Sequence, residues 1–274
     1  MRQTPNPQAF EDAVRTYLEP SREQFNYAQM LHTFLSTDRF HQWAAVIATF
    51  RPLDGARFLS SGCGFGGSLL AYRDAGACPV VGVEVDEDYL RFAGLRARAV
   101  PGAGVVAYDG HRLPFPDGAF TLIESMDVVE HTTDAGAYLS ELHRVLAPGG
   151  AILLVTPNRL WPIEQHLGIV GPPWLPVPLA DLLFGLLGRL PFVPAERRFR
   201  YRKLRGMRTQ NVSLRRLRRL ARERGLFLRL LRPGDHAGPW PLPQDPALIR
   251  RLSRHRVGKF LAPTRTLVVL LERS

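Results

Sequence analysis

Cysteine is almost missing from this chain. Cys63 and Cys78 are the only two in 274 residues, too few for a disulfide framework or a cysteine-built zinc site and in keeping with a reducing compartment. Lysine is as scarce, with Lys203 and Lys259 the only two among 36 basic residues. Long unbroken apolar runs are missing too: the most hydrophobic stretch, Ile169 to Leu190, is broken by Pro172, Pro173, Pro176 and Pro178 and interrupted by Asp181 and Arg189. That excludes a transmembrane helix there. The opening residues, MRQTPNPQAFED, lack the charged-then-apolar pattern of a signal peptide, so the expected location is the cytoplasm.

What is present begins with a core. With 45% hydrophobic and 22% charged residues, the chain can bury a sizeable interior, which excludes a mainly disordered protein. The length suits one large domain carrying insertions. Charge is distributed unevenly: the net is +11, yet Arg189 to Lys259 alone holds 21 basic and 4 acidic residues, a net +17, leaving −6 on the remainder. A mildly acidic body with a basic C-terminal part points to phosphates, of nucleic acid, anionic lipid or substrate. An arginine-rich codon bias is the plain alternative.

From Ser21 to Phe50 the apolar residues recur at helical spacing, which predicts two or three helices forming a cap over residues 1–55. Strands are expected at 57–61, 80–85, 104–107, 120–125 and 151–156, alternating with helices near 67–75, 87–97 and 135–146. Such alternation implies a parallel, doubly wound α/β sheet over 56–158. Residues 159–212 read as an inserted lid or interfacial segment, with seven prolines between 159 and 211. In the last part, 213–274, Ser213 caps a helix running through Arg224 with Leu214, Leu217 and Leu220 in one stripe; strands follow at 226–231 and 266–272, with a basic helix around 246–259.

The most specific feature is Phe58-Leu59-Ser60-Ser61-Gly62-Cys63-Gly64-Phe65-Gly66-Gly67. A strand enters glycines that let a ligand approach the backbone, and the turn opens into a helix. Glu84 closes the second strand about twenty residues later, where a carboxylate can accept both hydroxyls of a ribose. Asp109 follows the third strand, where an acid can accept from an adenine amino group. Added to these are Asp109-Gly110-His111-Arg112-Leu113-Pro114-Phe115-Pro116-Asp117 and Leu146-Ala147-Pro148-Gly149-Gly150. In that order and spacing the chain resembles the class I S-adenosylmethionine-dependent methyltransferases, in particular the small-molecule branch that includes the ubiquinone and menaquinone methyltransferases. The resemblance covers residues 57–158. It implies a Rossmann-like, mostly parallel seven-stranded sheet with S-adenosylmethionine as cofactor. Gly62, Gly64 and Gly66 would face the methionine and ribose, Glu84 the ribose diol, and Asp109, Gly110 and His111 the adenine edge, with Ser61 and Ser125 completing the set. One position departs from the family, which has an acid on the first strand where this chain has Ser60.

The stretch Glu124-Ser125-Met126-Asp127-Val128-Val129-Glu130-His131 reads as the floor of an active site. As a helix it would bring Asp127, Glu130 and His131 onto one face, suited to a divalent cation such as magnesium or to proton transfer. It resembles the E-x-x-E-H metal motif of the ubiquinone-biosynthesis O-methyltransferases, with Asp127 replacing the first glutamate. The metal reading ranks behind a structural or gating role. His131 is the preferred base, with Glu130 and His166 as further catalytic candidates.

The acceptor should be defined by the second half of the chain. A small or lipid-linked hydroxyl compound comes first, with peripheral membrane contact through 169–208 at the inner membrane surface, because an apolar run is followed there by Arg197, Arg198, Arg200, Arg202, Lys203, Arg205 and Arg208. RNA comes behind it, since Phe199 and Tyr201 interleave with those arginines. A non-catalytic cofactor-binding scaffold is the third reading, kept open by Ser60. The oligomeric state is not written in the sequence.

Overall fold

The computed structural model describes residues 7–22, 27–161, 163–164, 169–170, 175, 177–194, 198, 212–236, 238–243 and 264–274. The cap opens with α1 (Pro7–Leu18) and a 3-10 turn at Glu19–Ser21, then α2 (Tyr27–Leu35) and α3 (Asp38–Ala48). The core runs β1 (Phe58–Ser61), α4 (Gly67–Asp74), β2 (Val80–Glu84), α5 (Glu87–Arg98), β3 (Ala103–Ala107), β4 (Phe120–Met126), α6 (Ala135–Val145) and β5 (Leu146–Pro157). A two-stranded ribbon, β6 (Ile163–Glu164) with β7 (Ile169–Val170), and α7 (Val177–Leu187) follow, and the chain ends with α8 (Leu214–Arg222), β8 (Leu226–Leu230) and β9 (Thr266–Arg273).

The main sheet has seven strands in the order β3-β2-β1-β4-β5-β9-β8, with β9 antiparallel to both its neighbours. The order reverses direction beside β1, and in an open α/β sheet ligands bind at such a switch point, outside the carboxyl ends of the strands. Strand pleating sorts the core into two layers. Leu59 and Ile123 face α6 and α8, among Leu139, Leu142 and Leu217. Phe58 and Leu122 face α3 and α4, among Trp43, Ile47, Leu69 and Tyr72.

The expected seven-stranded, mostly parallel α/β sheet is therefore present, with its elements at or near the expected residues. Two differences have physical reasons. Helix α1 was not anticipated; Phe10, Val14 and Leu18, four apart, bury one stripe against Phe92 of α5. The fifth strand starts at Leu146 rather than 151: Phe120 pairs with Leu146 and Leu122 with Ala151, so Pro148 and Gly149 bulge out, exposed, within its span. Ser213 caps α8 by accepting from the Arg216 amide at 3.3 Å, and Leu214, Leu217 and Leu220 are buried.

The chain leaves the sheet at Asn158 and returns at Val212, and these two residues bridge side by side. Buried Asn158 also donates through Nδ2 to the Thr264 carbonyl at 2.8 Å, tying the entry of β9 to the same point. His166, Trp174, the arginines of 197–208 other than Arg198, and the basic helix expected around 246–259 lie outside the described residues.

Candidate cofactor and acceptor site

The glycine loop turns sharply because three of its residues occupy the left-handed region: φ is +73° at Gly62, +50° at Gly64 and +74° at Gly66. At Gly62 a side chain is excluded twice, by the backbone and by Val128, whose Cγ2 would lie 2.5 Å from an added Cβ. At Gly64 nothing lies within 4 Å, so the loop is open to a ligand on that side.

Glu84 comes up against this loop at the end of β2. Its buried carboxylate accepts from the Gly64 amide at 2.8 Å, the Val85 amide at 2.8 Å and the Asp86 amide at 3.3 Å. The acid thus braces the turn. Asp109 is exposed, and its Oδ1 accepts from the amides of His111 at 2.8 Å and Arg112 at 2.9 Å. Those bonds, that of Arg112 first, hold its carboxyl below the usual range. Gly110 packs toward Val85, whose side chain is exposed beyond Glu84. The loop behind is clamped by Arg144 of α6, which donates to the carbonyls of Leu113 and Phe115 and pairs with Asp117 at 2.9 Å and Glu141 at 2.8 Å.

A cavity of about 1040 Å³ opens beside the glycine loop at the carboxyl edge of β1, β4 and β5. Its walls come from Phe34 and Phe40 of the cap, Gly62 and Gly64 of the loop, and Trp240 and Leu242 of the segment after β8. Ser60, Ser68, Glu124, Asp127, Arg39 and Arg96 line it as well. Arg39 pairs with Asp127 at 3.0 Å. Arg96, buried on α5, donates to the carbonyls of Phe34 and Leu35 at 2.7 and 2.8 Å and lies 4.0 Å over the Phe10 ring. Burial brings its guanidinium down to about 10.

Glu124 is the group that reading the sequence left without a role. It is 2% exposed and sits directly opposite Ser60 in the β1–β4 register, with Oε1 3.5 Å from the Ser60 hydroxyl. Burial pushes its carboxyl up to about 7, with the hydroxyls of Tyr72, Ser68 and Ser60 and the charge of Arg39 pulling the other way. The available signal was a glutamate inside a strand otherwise destined for the interior.

Other expected site residues fall elsewhere. Pleating turns Ser61 and Ser125 to the opposite face from Ser60 and Glu124, where both hydroxyls meet Tyr138 Oη of α6 at 2.8 Å; neither lines the cavity. The turn of helix considered for Asp127, Glu130 and His131 is not formed. Asp127 takes φ +54°, and a 3-10 turn covers only Val129–His131. Asp127 therefore points to Arg39, Glu130 is buried with Oε2 accepting from Thr156 Oγ1 at 3.0 Å, and His131 is exposed. Among the described residues no three metal-ligating side chains come together, and neither Glu130 nor His131 lines the cavity.

Residues 59–154 match a family model described as a methyltransferase domain. Among curated proteins the chain is 37% identical over 108 residues to a probable S-adenosylmethionine-dependent methyltransferase of Mycolicibacterium smegmatis, covering 39% of this chain and 40% of that protein. It is 36% identical over 130 residues to a ubiquinone biosynthesis O-methyltransferase of a Bradyrhizobium species, covering 45% and 50%. The matched stretches thus span about half the length of these relatives or less. Among solved structures, an S-adenosylmethionine dependent methyltransferase from Mesorhizobium loti aligns over 87% of this chain and 100% of its own with a TM-score of 0.55 at 19% identity. Magnesium protoporphyrin IX methyltransferase from Synechocystis, solved with bound SAH (S-adenosylhomocysteine), aligns over 96% and 94% with a TM-score of 0.52 at 17% identity. At such identities the structural likeness speaks for the fold alone. Residues 59–154 thus match a methyltransferase domain in sequence, and the sheet shares its fold with S-adenosylmethionine-dependent methyltransferases of known structure.

Proposed function

We propose that the protein transfers a methyl group from S-adenosylmethionine to a hydroxyl of a small-molecule or lipid-linked acceptor. The observation that carries this reading is the cavity of about 1040 Å³ continuous with the glycine loop, at the upper end of the range of roughly 300–1,000 Å³ that holds a single ligand. It has room for donor and acceptor side by side. The residues suit the donor: Gly64 leaves the loop open to it, and a buried acid waits below at Glu124. Glu84 would take the ribose hydroxyls and Asp109, with Gly110 and His111, the adenine edge. When bound, the donor supplies an electrophilic sulfonium methyl, and in-line displacement asks chiefly for alignment and for removal of the acceptor proton. Phe34, Phe40, Trp240 and Leu242 exclude water and hold the acceptor. Asp127, which lines the cavity wall and is half-exposed, would take that proton, in the part that His131 and Glu130 were expected to play.

The lipid-linked variant of this reading has its own support. On α7, Leu179, Leu182, Leu183 and Leu186 recur at helical spacing and are all exposed, with Phe192 beyond them. No described helix is long and apolar enough to cross a membrane. An apolar face ahead of the basic segment suits the headgroup layer of an anionic bilayer.

Calorimetric titration with S-adenosylmethionine and SAH tests the donor site. Glu84→Ala is expected to weaken binding by about tenfold or more, the worth of a lost charged hydrogen bond, with magnesium making no difference. An unaltered affinity in that variant would remove Glu84 from the site. A panel of acceptors with labelled methyl donor then tests the reaction: label on RNA alone would overturn the acceptor class, and no turnover with any acceptor would favour the scaffold.

A further inference from the structure

The carboxylate of Glu124 is the least explained group in the cavity. It is 2% exposed, Oε2 has no hydrogen-bond partner among the described residues, and no ion pair engages it there. Its nearest polar neighbours are hydroxyls: Ser60 Oγ at 3.5 Å, Ser68 Oγ bonded to Ser60 at 2.9 Å, and the buried Tyr72 hydroxyl, with the charge of Arg39 acting from further off. A buried acid with no paired cation is costly to keep. This one is not sealed in the core, because it lines the cavity beside the glycine loop. The same cavity is lined by four arginines, Arg39, Arg96, Arg232 and Arg265. Arg39 is paired with Asp127, whereas Arg96 is bonded to backbone carbonyls with no acid paired to it among the described residues. One acidic floor and a cationic wall are complementary to a zwitterion, the α-amino-acid end of a ligand.

We propose that Glu124, from the fourth strand, receives the α-ammonium group of the methyl donor and so provides the negative charge that Ser60 on the first strand does not. The register makes the exchange possible: Ser60 and Glu124 are direct partners on the same face of the sheet, so a carboxylate on either strand reaches the same spot. The ammonium donates to the unpartnered Oε2 and neutralises the buried charge, a short charge-assisted contact in a poorly solvated site. This assignment rests on the reading of the cavity as the donor site.

The test is calorimetry with SAH and with its analogue lacking the α-amino group. The intact protein should bind the analogue about tenfold or more weakly than SAH, the scale of one charged hydrogen bond. Glu124→Gln should bind SAH weakly and lose most of that discrimination. The double variant Ser60→Asp/Glu124→Leu should restore both the affinity and the discrimination, a rescue that a merely structural glutamate would not allow. The comparison of two ligands on the unaltered protein does not depend on how any variant folds. Equal affinity of the intact protein for both ligands, or discrimination retained in Glu124→Gln, would overturn the proposal while leaving the donor site standing. Failure of the intact protein to bind SAH at all would overturn the donor-site reading and this assignment with it.

Discussion

At the residue scale, the cost of Glu124 makes a pH signature. Burial raises its carboxyl from 4.5 to about 7 in the folded chain, so between those values the folded state holds a proton that the unfolded state has lost. Stability contributed by the neutral acid is fully present below about 4.5 and is lost as pH rises through about 7. Glu124→Gln removes that loss. Relative to the intact protein, the variant should gain about 3 kcal/mol by pH 8 and nothing below pH 4, measured by urea unfolding in the absence of ligand. Parallel stability curves for the two proteins across this window would contradict the assignment. A group that destabilises the free protein above neutrality but faces an open cavity has the profile of a functional residue rather than of a packing one. Ser61 and Ser125 have the reverse profile: both are satisfied by Tyr138 and buried.

At the element scale, Arg96 of α5 ties the N-terminal cap to the core. Its guanidinium closes the C-terminal end of α2 through the carbonyls of Phe34 and Leu35 and stacks on Phe10 of α1, where a positive charge also suits the helix dipole. Apolar contacts complete the join: the Phe65 ring of the glycine loop stacks on Phe34 at 4.1 Å and on Phe92 at 4.9 Å. The cap therefore rests directly on the loop that would hold the cofactor. Arg96→Met should keep the side chain's volume while losing the fork of donors, freeing two carbonyls at a cost of about 1–3 kcal/mol. The expected result is faster amide exchange in α1 and α2, with β1, β4 and β5 as protected as before. Equal protection of the cap in both proteins would show that ring packing alone secures it.

At the scale of the whole molecule, two distributions are at odds with a plain soluble surface. The segment from Arg189 to Lys259 carries a net +17 on a chain whose remainder is −6, and α7 exposes four leucines in one stripe ahead of it. Together they suit an anionic membrane surface, where apolar side chains enter the headgroup layer and basic residues meet phosphates. The protein should float with vesicles rich in phosphatidylglycerol and not with neutral ones, and binding should weaken steeply as salt is raised. Leu182→Glu/Leu186→Glu should abolish flotation while leaving SAH affinity unchanged. Retention of flotation by that variant would leave charge alone as the cause.

The sequence determined by itself whatever depends on short spans. Strand-to-helix alternation, the glycine turn, Glu84 twenty residues on and Asp109 after the third strand are local patterns, and the structure sets each at the end of the strand or turn expected for it. The Ser213 cap and its leucine stripe were legible for the same reason. Tertiary structure decided what depends on pairing and on which face is covered. Ser60 and Glu124 lie 64 positions apart and become partners only through strand register. Pleating showed that Ser60 and Ser61 must point to opposite faces, but only the packing of α6 on one face and the cavity on the other decides which of them can meet a ligand. Asp127 could be read as the start of a helical turn until its backbone adopted φ +54° and its carboxylate turned to Arg39, 88 residues away. Local sequence sets where the chain turns; register, pleat and the cap's long-range contacts set which side chains share a cavity.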